Sequence, residues 1–146
     1  MKKLYFAVLP VLILMLTACQ SSNVWRPDFS GDEPIAVVRY IRSQKEASRR
    51  AETAEDIKKL QDLVARIEAD TSTLTEIGKD GSTYVGGGTD YRFERSAQCF
   101  LEIGWSEEGY ASVTVRSSSG GYRFVCKNAP AKKEFDLFYS QIKAVK

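Results

Sequence analysis

From residue 72 to residue 127 the chain alternates β-branched and aromatic residues with polar ones, and glycine interrupts the alternation at short intervals. A two-residue period puts successive side chains on opposite faces of a strand, and runs this short cannot make stable helices. Candidate strands are 72–77, 82–85, 90–95, 98–105, 110–117 and 122–127. The breaks carry Asp80-Gly81, Gly86-Gly87-Gly88, Glu108-Gly109 and Gly120-Gly121, each able to supply the positive φ that tight hairpins need. This predicts an antiparallel meander.

The flanking segments have a different period. Asp32 is a candidate cap and Pro34 suits a first helical turn, after which Val37, Tyr40, Ile41, Ala47 and Ala51 recur at helical spacing. Arg39, Arg42, Lys45 and Arg49 would then form a basic stripe on the other side, relieved only by Glu46 and suited to anionic lipid or an acidic partner. Thr53 with Asp56 three residues on resembles a capping box, and Ile57, Leu60, Val64 and Ile67 follow on one face. Residues 32–70 are thus expected as two helices, or one kinked near residue 52. Behind Asn128-Ala129-Pro130, a last helix is marked by Phe135, Phe138, Ile142 and Val145. The expected fold is α+β: an antiparallel β-meander of about five or six strands with N-terminal and C-terminal helices packed on one face.

The N-terminus is not part of that domain. Lys2-Lys3 precedes the apolar run 4–16, and Leu16-Thr17-Ala18-Cys19 closes it. This is the charge, apolar stretch and small-residue site of a secretory signal, too short for the roughly 20 residues that a membrane span takes. Leu16-Thr17-Ala18-Cys19 resembles the lipobox of bacterial lipoproteins. The resemblance implies that residues 1–18 are cleaved, that Cys19 carries a covalent lipid, and that the chain then works at a membrane surface. At about 0.8 kcal/mol per buried methylene, two or three acyl chains hold permanently. Gln20-Ser21-Ser22 lacks the aspartate that retains such proteins in the inner membrane of Gram-negative bacteria, which implies, for a Gram-negative source, the outer membrane, facing the periplasm. Residues 19–31 read as a flexible tether, in which Trp25 and Phe29 either dock on the domain or sit at the headgroups, and 32–146 as one globular domain.

Without the signal, which holds Lys2, Lys3 and no acid, 19 basic residues stand against 19 acidic ones. A neutral chain gives no reason to expect nucleic acid as a partner. There is no histidine, which removes Ser-His-Asp triads, Cys-His pairs and the common hydrolytic zinc sites. No metal site and no cofactor beyond the lipid are expected. The remaining catalytic arrangements are a Ser117–Ser119 hydroxyl with Lys127, or Glu107 with Glu108, and both segments are equally good turn chemistry. Cys99 and Cys126 are an even pair in an exported domain, so a disulfide is expected. Simple hairpin geometry puts them two strands apart and out of line, so that bond would need a bulge, another strand order or an irregular strand end.

Tyrosines suit a sheet face left open to water, and Tyr84, Tyr91, Tyr110 and Tyr122 are the candidate recognition surface beside the basic stripe. The leading expectation is a non-enzymatic envelope lipoprotein that binds another envelope protein; a lipid anchor followed by a small domain looks like the pilotin and accessory lipoproteins in layout. Ser118-Ser119-Gly120-Gly121-Tyr122 loosely resembles the loop that periplasmic lysozyme inhibitors present, which would make the target a cell-wall hydrolase. The third alternative is an enzyme acting on peptidoglycan or another glycan. Changing Cys19 to Ser is expected to abolish palmitate incorporation in metabolic labelling and to release the protein from membranes; labelling that persists would refute the lipobox.

Overall fold

A computed structural model describes residues 25–77, 88–118 and 120–145. The elements run β1 (Ile35–Ile41), β2 (Gln44–Lys45), β3 (Arg49–Ala51), α1 (Ala54–Ala65), β4 (Glu68–Ala69), a 3-10 turn (Thr71–Thr73), β5 (Thr75–Ile77), β6 (Tyr91–Ser96), β7 (Cys99–Trp105), β8 (Ala111–Ser117), β9 (Gly120–Asn128), α2 (Lys132–Gln141) and β10 (Lys143–Ala144). The helix-led α+β fold expected above is therefore corrected: among the described residues the chain is mostly antiparallel β sheet, with two short α-helices. The main path of the sheet is β10-β3-β1-β6-β7-β8-β9-β4, with β2 on β1 and β5 on β9.

The error lies in residues 32–52. Ile35, Val37, Val38 and Ile41 are β-branched and pack well on a pleated surface. Ile41 pairs with Gln44 across Arg42 (φ 50°) and Ser43 (φ 64°), a two-residue hairpin turn made without the glycine or asparagine that normally marks one. The apparent helical spacing came from residues spread over β1, β3 and the link between β2 and β3.

The later helices follow local chemistry. Thr53 Oγ1 accepts the Asp56 N–H at 3.1 Å and caps α1, and Glu55–Lys59 closes one ion pair along it at 2.8 Å. Ile57, Leu60, Leu63 and Val64 form its buried face. At the start of α2, the Glu134 carboxylate accepts the Ala131 N–H at 3.0 Å, while Phe135, Phe138 and Tyr139 turn inward. Both faces meet the same side of the sheet. Register aligns Val37, Phe93, Leu101, Val115 and Tyr122 in one row and Tyr91, Ile103, Val113 and Phe124 in the next, and the fully buried members of these rows join the helix residues in one core.

Part of the segment expected as a tether packs on the domain. Trp25 and Phe29 are each only 4% exposed, Pro27 is buried with them, and the Trp25 ring meets Phe124 at 4.5 Å. Arg26 donates to the Ala65 carbonyl at 3.2 Å, Gln61 to the Phe29 carbonyl at 2.7 Å, and Arg95 to the Asp28 carbonyl at 3.1 Å. Residues 25–30 are therefore packed into the domain.

On the other sheet face Arg92 bridges Glu94 at 2.8 Å and Glu102 at 2.6 Å, with its guanidinium 4.0 Å over the Phe100 ring. Glu102 is 4% exposed, so this ion pair balances a charge that would otherwise be buried alone. The chain arriving at β6 crosses this face, and a Cβ on Gly104 would lie 1.5 Å from the Gly88 carbonyl oxygen. The predicted strand 82–85, Tyr84 within it, and Gly86-Gly87 lie outside the described residues.

Replacing Trp25 with Ala empties a core position and is expected to cost about 3–5 kcal/mol, read as a lower denaturant midpoint in a Cys19→Ser background. A change under about 0.5 kcal/mol would place residues 25–30 outside the cooperative fold.

Candidate functional site

The β7–β8 hairpin closes with Trp105 opposite Ala111. Beyond that pair Ser106 N–H donates to the Tyr110 carbonyl at 2.9 Å and Gly109 N–H to the Ser106 carbonyl at 3.0 Å, with Gly109 at φ 89°. The tight loop holds Tyr110 outward, 48% exposed, where solvation alone gives no reason for so large an apolar ring.

Facing it is the end of β9, Cys126-Lys127-Asn128, and the link Ala129-Pro130-Ala131 into Lys132; together with Trp105, Glu108 and Tyr110 these bound an open cleft of about 590 Å³. Asp90 pins its base. One carboxylate oxygen accepts the Trp105 N–H at 2.9 Å and the other accepts Lys132 Nζ at 2.5 Å, while its backbone bonds Ile103 at 3.0 Å and Tyr40 at 2.8 Å. One carboxylate thus ties β7 to α2 across the cleft.

Tyr110 and Trp105 offer aromatic surface, Lys127 and Lys132 cationic donors, Glu108 an acid, and the 126–131 segment main-chain groups. Burial pushes the Cys126 thiol up to about 12, which keeps it protonated and a poor nucleophile at neutral pH. Among the described residues no three His, Cys, Asp or Glu side chains gather to hold a metal.

The structure scatters the residues singled out from sequence. Tyr91 is fully buried, stacked near Phe93 and Phe135, and donates to Asp136; burial and that carboxylate push its hydroxyl well above the ordinary phenol range. It is core, not recognition surface. Tyr122 is half-buried against the same core, so Tyr110 alone of the described candidates stands clear. The basic stripe does not exist as a helix face: Arg39 and Arg49 both lie over the Tyr139 ring, at 4.6 and 4.7 Å, and Arg39 also pairs with Glu46. Arg42 and Lys45 sit at the β1–β2 tip, lining a second cleft of about 490 Å³ with Ile41, Gln44 and Glu46. Cys19 lies outside the described residues.

The expected disulfide is corrected: Cys99 and Cys126 are free. Cys126 lies one residue past the Val125–Ser112 pair, level with Ala111, whereas Cys99 precedes the Phe100–Arg116 pair, level with Ser117. Six residues of β8 therefore separate them lengthwise, about 20 Å, against the roughly 7 Å between α-carbons that a disulfide allows. The suspected serine–lysine pairing fails similarly, because Ser117 bonds Gly120 at the start of β9 and Lys127 is near its other end. Gly121 and Tyr122 belong to β9 and do not project as a loop; a Cβ on Gly121 would strike Ile77 Cγ1 at 2.6 Å.

Sequence reading missed Trp105, Asn128, Lys132 and Asp90 as site residues. The available signal was the Glu107-Glu108-Gly109 turn, which makes its two aromatic flanks, Trp105 and Tyr110, neighbours at one strand end.

Denatured but unreduced Cys19→Ser protein should therefore yield two titratable thiols; none would restore the disulfide. In native protein with Cys99 also changed to Ser, Cys126 should hold roughly a thousandfold less thiolate than an ordinary thiol at pH 8, and react with aromatic disulfides correspondingly slowly. Because its folded pKa exceeds the unfolded value of 9.0, its contribution to stability is intact below about pH 9 and is lost as the pH rises toward 12. No family model, no curated protein and no solved structure matches this chain.

Proposed function

We propose that this chain is a lipid-anchored bacterial envelope lipoprotein, outer-membrane and facing the periplasm, whose domain is a non-enzymatic protein-binding module. Its binding site is the cleft between the β7–β8 hairpin and the end of β9. The observation that carries the reading is the 48% exposure of Tyr110 at the mouth of that cleft, on a hairpin whose main chain is fixed by hydrogen bonds. A presented aromatic beside a cleft is what a binding surface requires, because the ring brings large contact area at a low cost in side-chain entropy.

The opposite wall suits a protein segment. Lys127 and Lys132 can meet its carboxylates, and the main chain of residues 126–131 can meet its amides. Anchoring raises the local concentration of the module for partners at the same membrane, so modest affinity in the cleft suffices.

A photo-crosslinking residue at position 110 in the native envelope should capture one defined protein. The same probe at Lys58, exposed on α1, should not. In an affinity measurement with that partner, Tyr110→Ala should weaken binding about tenfold or more, the loss of a central aromatic contact, while thermal unfolding stays near that of the parent. Equal capture from both positions, or unchanged affinity in the variant, would overturn this site.

A further inference from the structure

We infer that the acylated protein rests directly on the bilayer with one end of its sheet, the end carrying Trp25, Arg26 and the C-terminus of α1, against the lipid headgroups. This rests on the lipoprotein reading of Cys19. It deepens that reading by naming the surface that the bilayer meets.

Chain length comes first. Because Trp25, Pro27 and Phe29 are buried in the domain, only residues 20–24 separate the anchor from folded structure. Six steps from Cys19 to Trp25, at about 3.5 Å each, reach at most about 21 Å. A domain of this size is roughly 35 Å across, so the tether is shorter than the body that it holds.

The point of attachment comes second. Trp25 packs on Phe124 of β9, and Arg26 donates to the carbonyls of Ala65 and Ile67, immediately before β4. Strand β4 ends the sheet path and β10 is the other end, seven strand spacings away. At about 4.8 Å each, that is roughly 34 Å along the sheet. Attachment beside β4 therefore favours a pose that sets this end of the sheet, and not the β10 edge, toward the membrane.

The chemistry of the attached end comes third. The charged residues around it are Arg26, Arg66, Lys127 and Lys133 with Asp62, Glu68, Asp70 and Glu134, of which Glu134 is paired to Arg66 at 2.6 Å. Arg66 keeps half its side chain exposed although paired, and an arginine fork can donate to headgroup phosphates.

The test uses the lipidated protein in vesicles of phosphatidylethanolamine and phosphatidylglycerol containing a headgroup spin-labelled lipid. In a Cys99→Ser background, a fluorophore is attached to Ala65→Cys or to Ala144→Cys, and a second form of each carries a twelve-residue glycine–serine insertion after Ser22. Flotation with the vesicles reads the anchor, and quenching reads the pose. Flotation with at least threefold stronger quenching at position 65 than at 144, a difference that the insertion abolishes, is the expected result. Flotation with equal quenching, or stronger quenching at 144, overturns the pose while leaving the anchor standing. Failure to float refutes the anchor, and the pose with it.

Discussion

Phe135 is where the two layers of the domain are joined. From one turn of α2 its ring meets Tyr91 at 6.0 Å, Phe93 at 5.6 Å and Trp105 at 5.3 Å, tying the helix to two neighbouring strands and to the base of the cleft. Such contacts add to the area that the rings bury, and offset or tilted geometry suits their charge distribution. Asp90 reinforces the same junction from the polar side, holding Lys132 at the start of α2 and the main chain of Trp105. The cleft is therefore built on a rigid corner of the core, although the ring it presents stands on a hairpin loop.

Charged residues in this molecule do much of the construction. Arg39 and Arg49 clamp Tyr139, whose hydroxyl donates to the Ala47 carbonyl, and together they bind the β1–β3 ribbon to α2. Arg92 neutralises the buried Glu102, and Arg95 gathers the carbonyls of Asp28, Phe29 and Ser30. Arginine serves here because its planar fork both stacks on rings and donates along several directions. A cationic pattern in sequence consequently overstated the cationic surface, and left Arg42 and Lys45 as the exposed members of the expected stripe.

Arg26 and Arg95 also fasten the entering chain, and this changes how an anchored domain would behave. With Cys19 acylated as proposed, five residues rather than a dozen would lie between the lipid and the first buried residue, which would restrict the domain's orientations. The cleft shares its β9 wall with β4, since Asn128 pairs with Glu68, so a partner bound there lies on the side of the domain nearer the point of attachment.

Sequence by itself determined the features set by local rules. The meander β6–β9 follows from alternation and glycine turns, α1 from the Thr53 cap and its apolar stripe, and α2 from its aromatic spacing. Only tertiary structure decided the rest. Residues 35–51 satisfy a helical period and a strand propensity alike, and pairing of β1 with β6 settles the choice by burying Ile35 and Val37 in the sheet. Whether Trp25 met solvent, lipid or core depended on an opening beside Phe124 that no local pattern encodes. Tyr91 and Tyr110 share a residue type and a strand-like context, yet one lies under α2 and the other on a hairpin tip, because burial belongs to the packed layers and not to the residue.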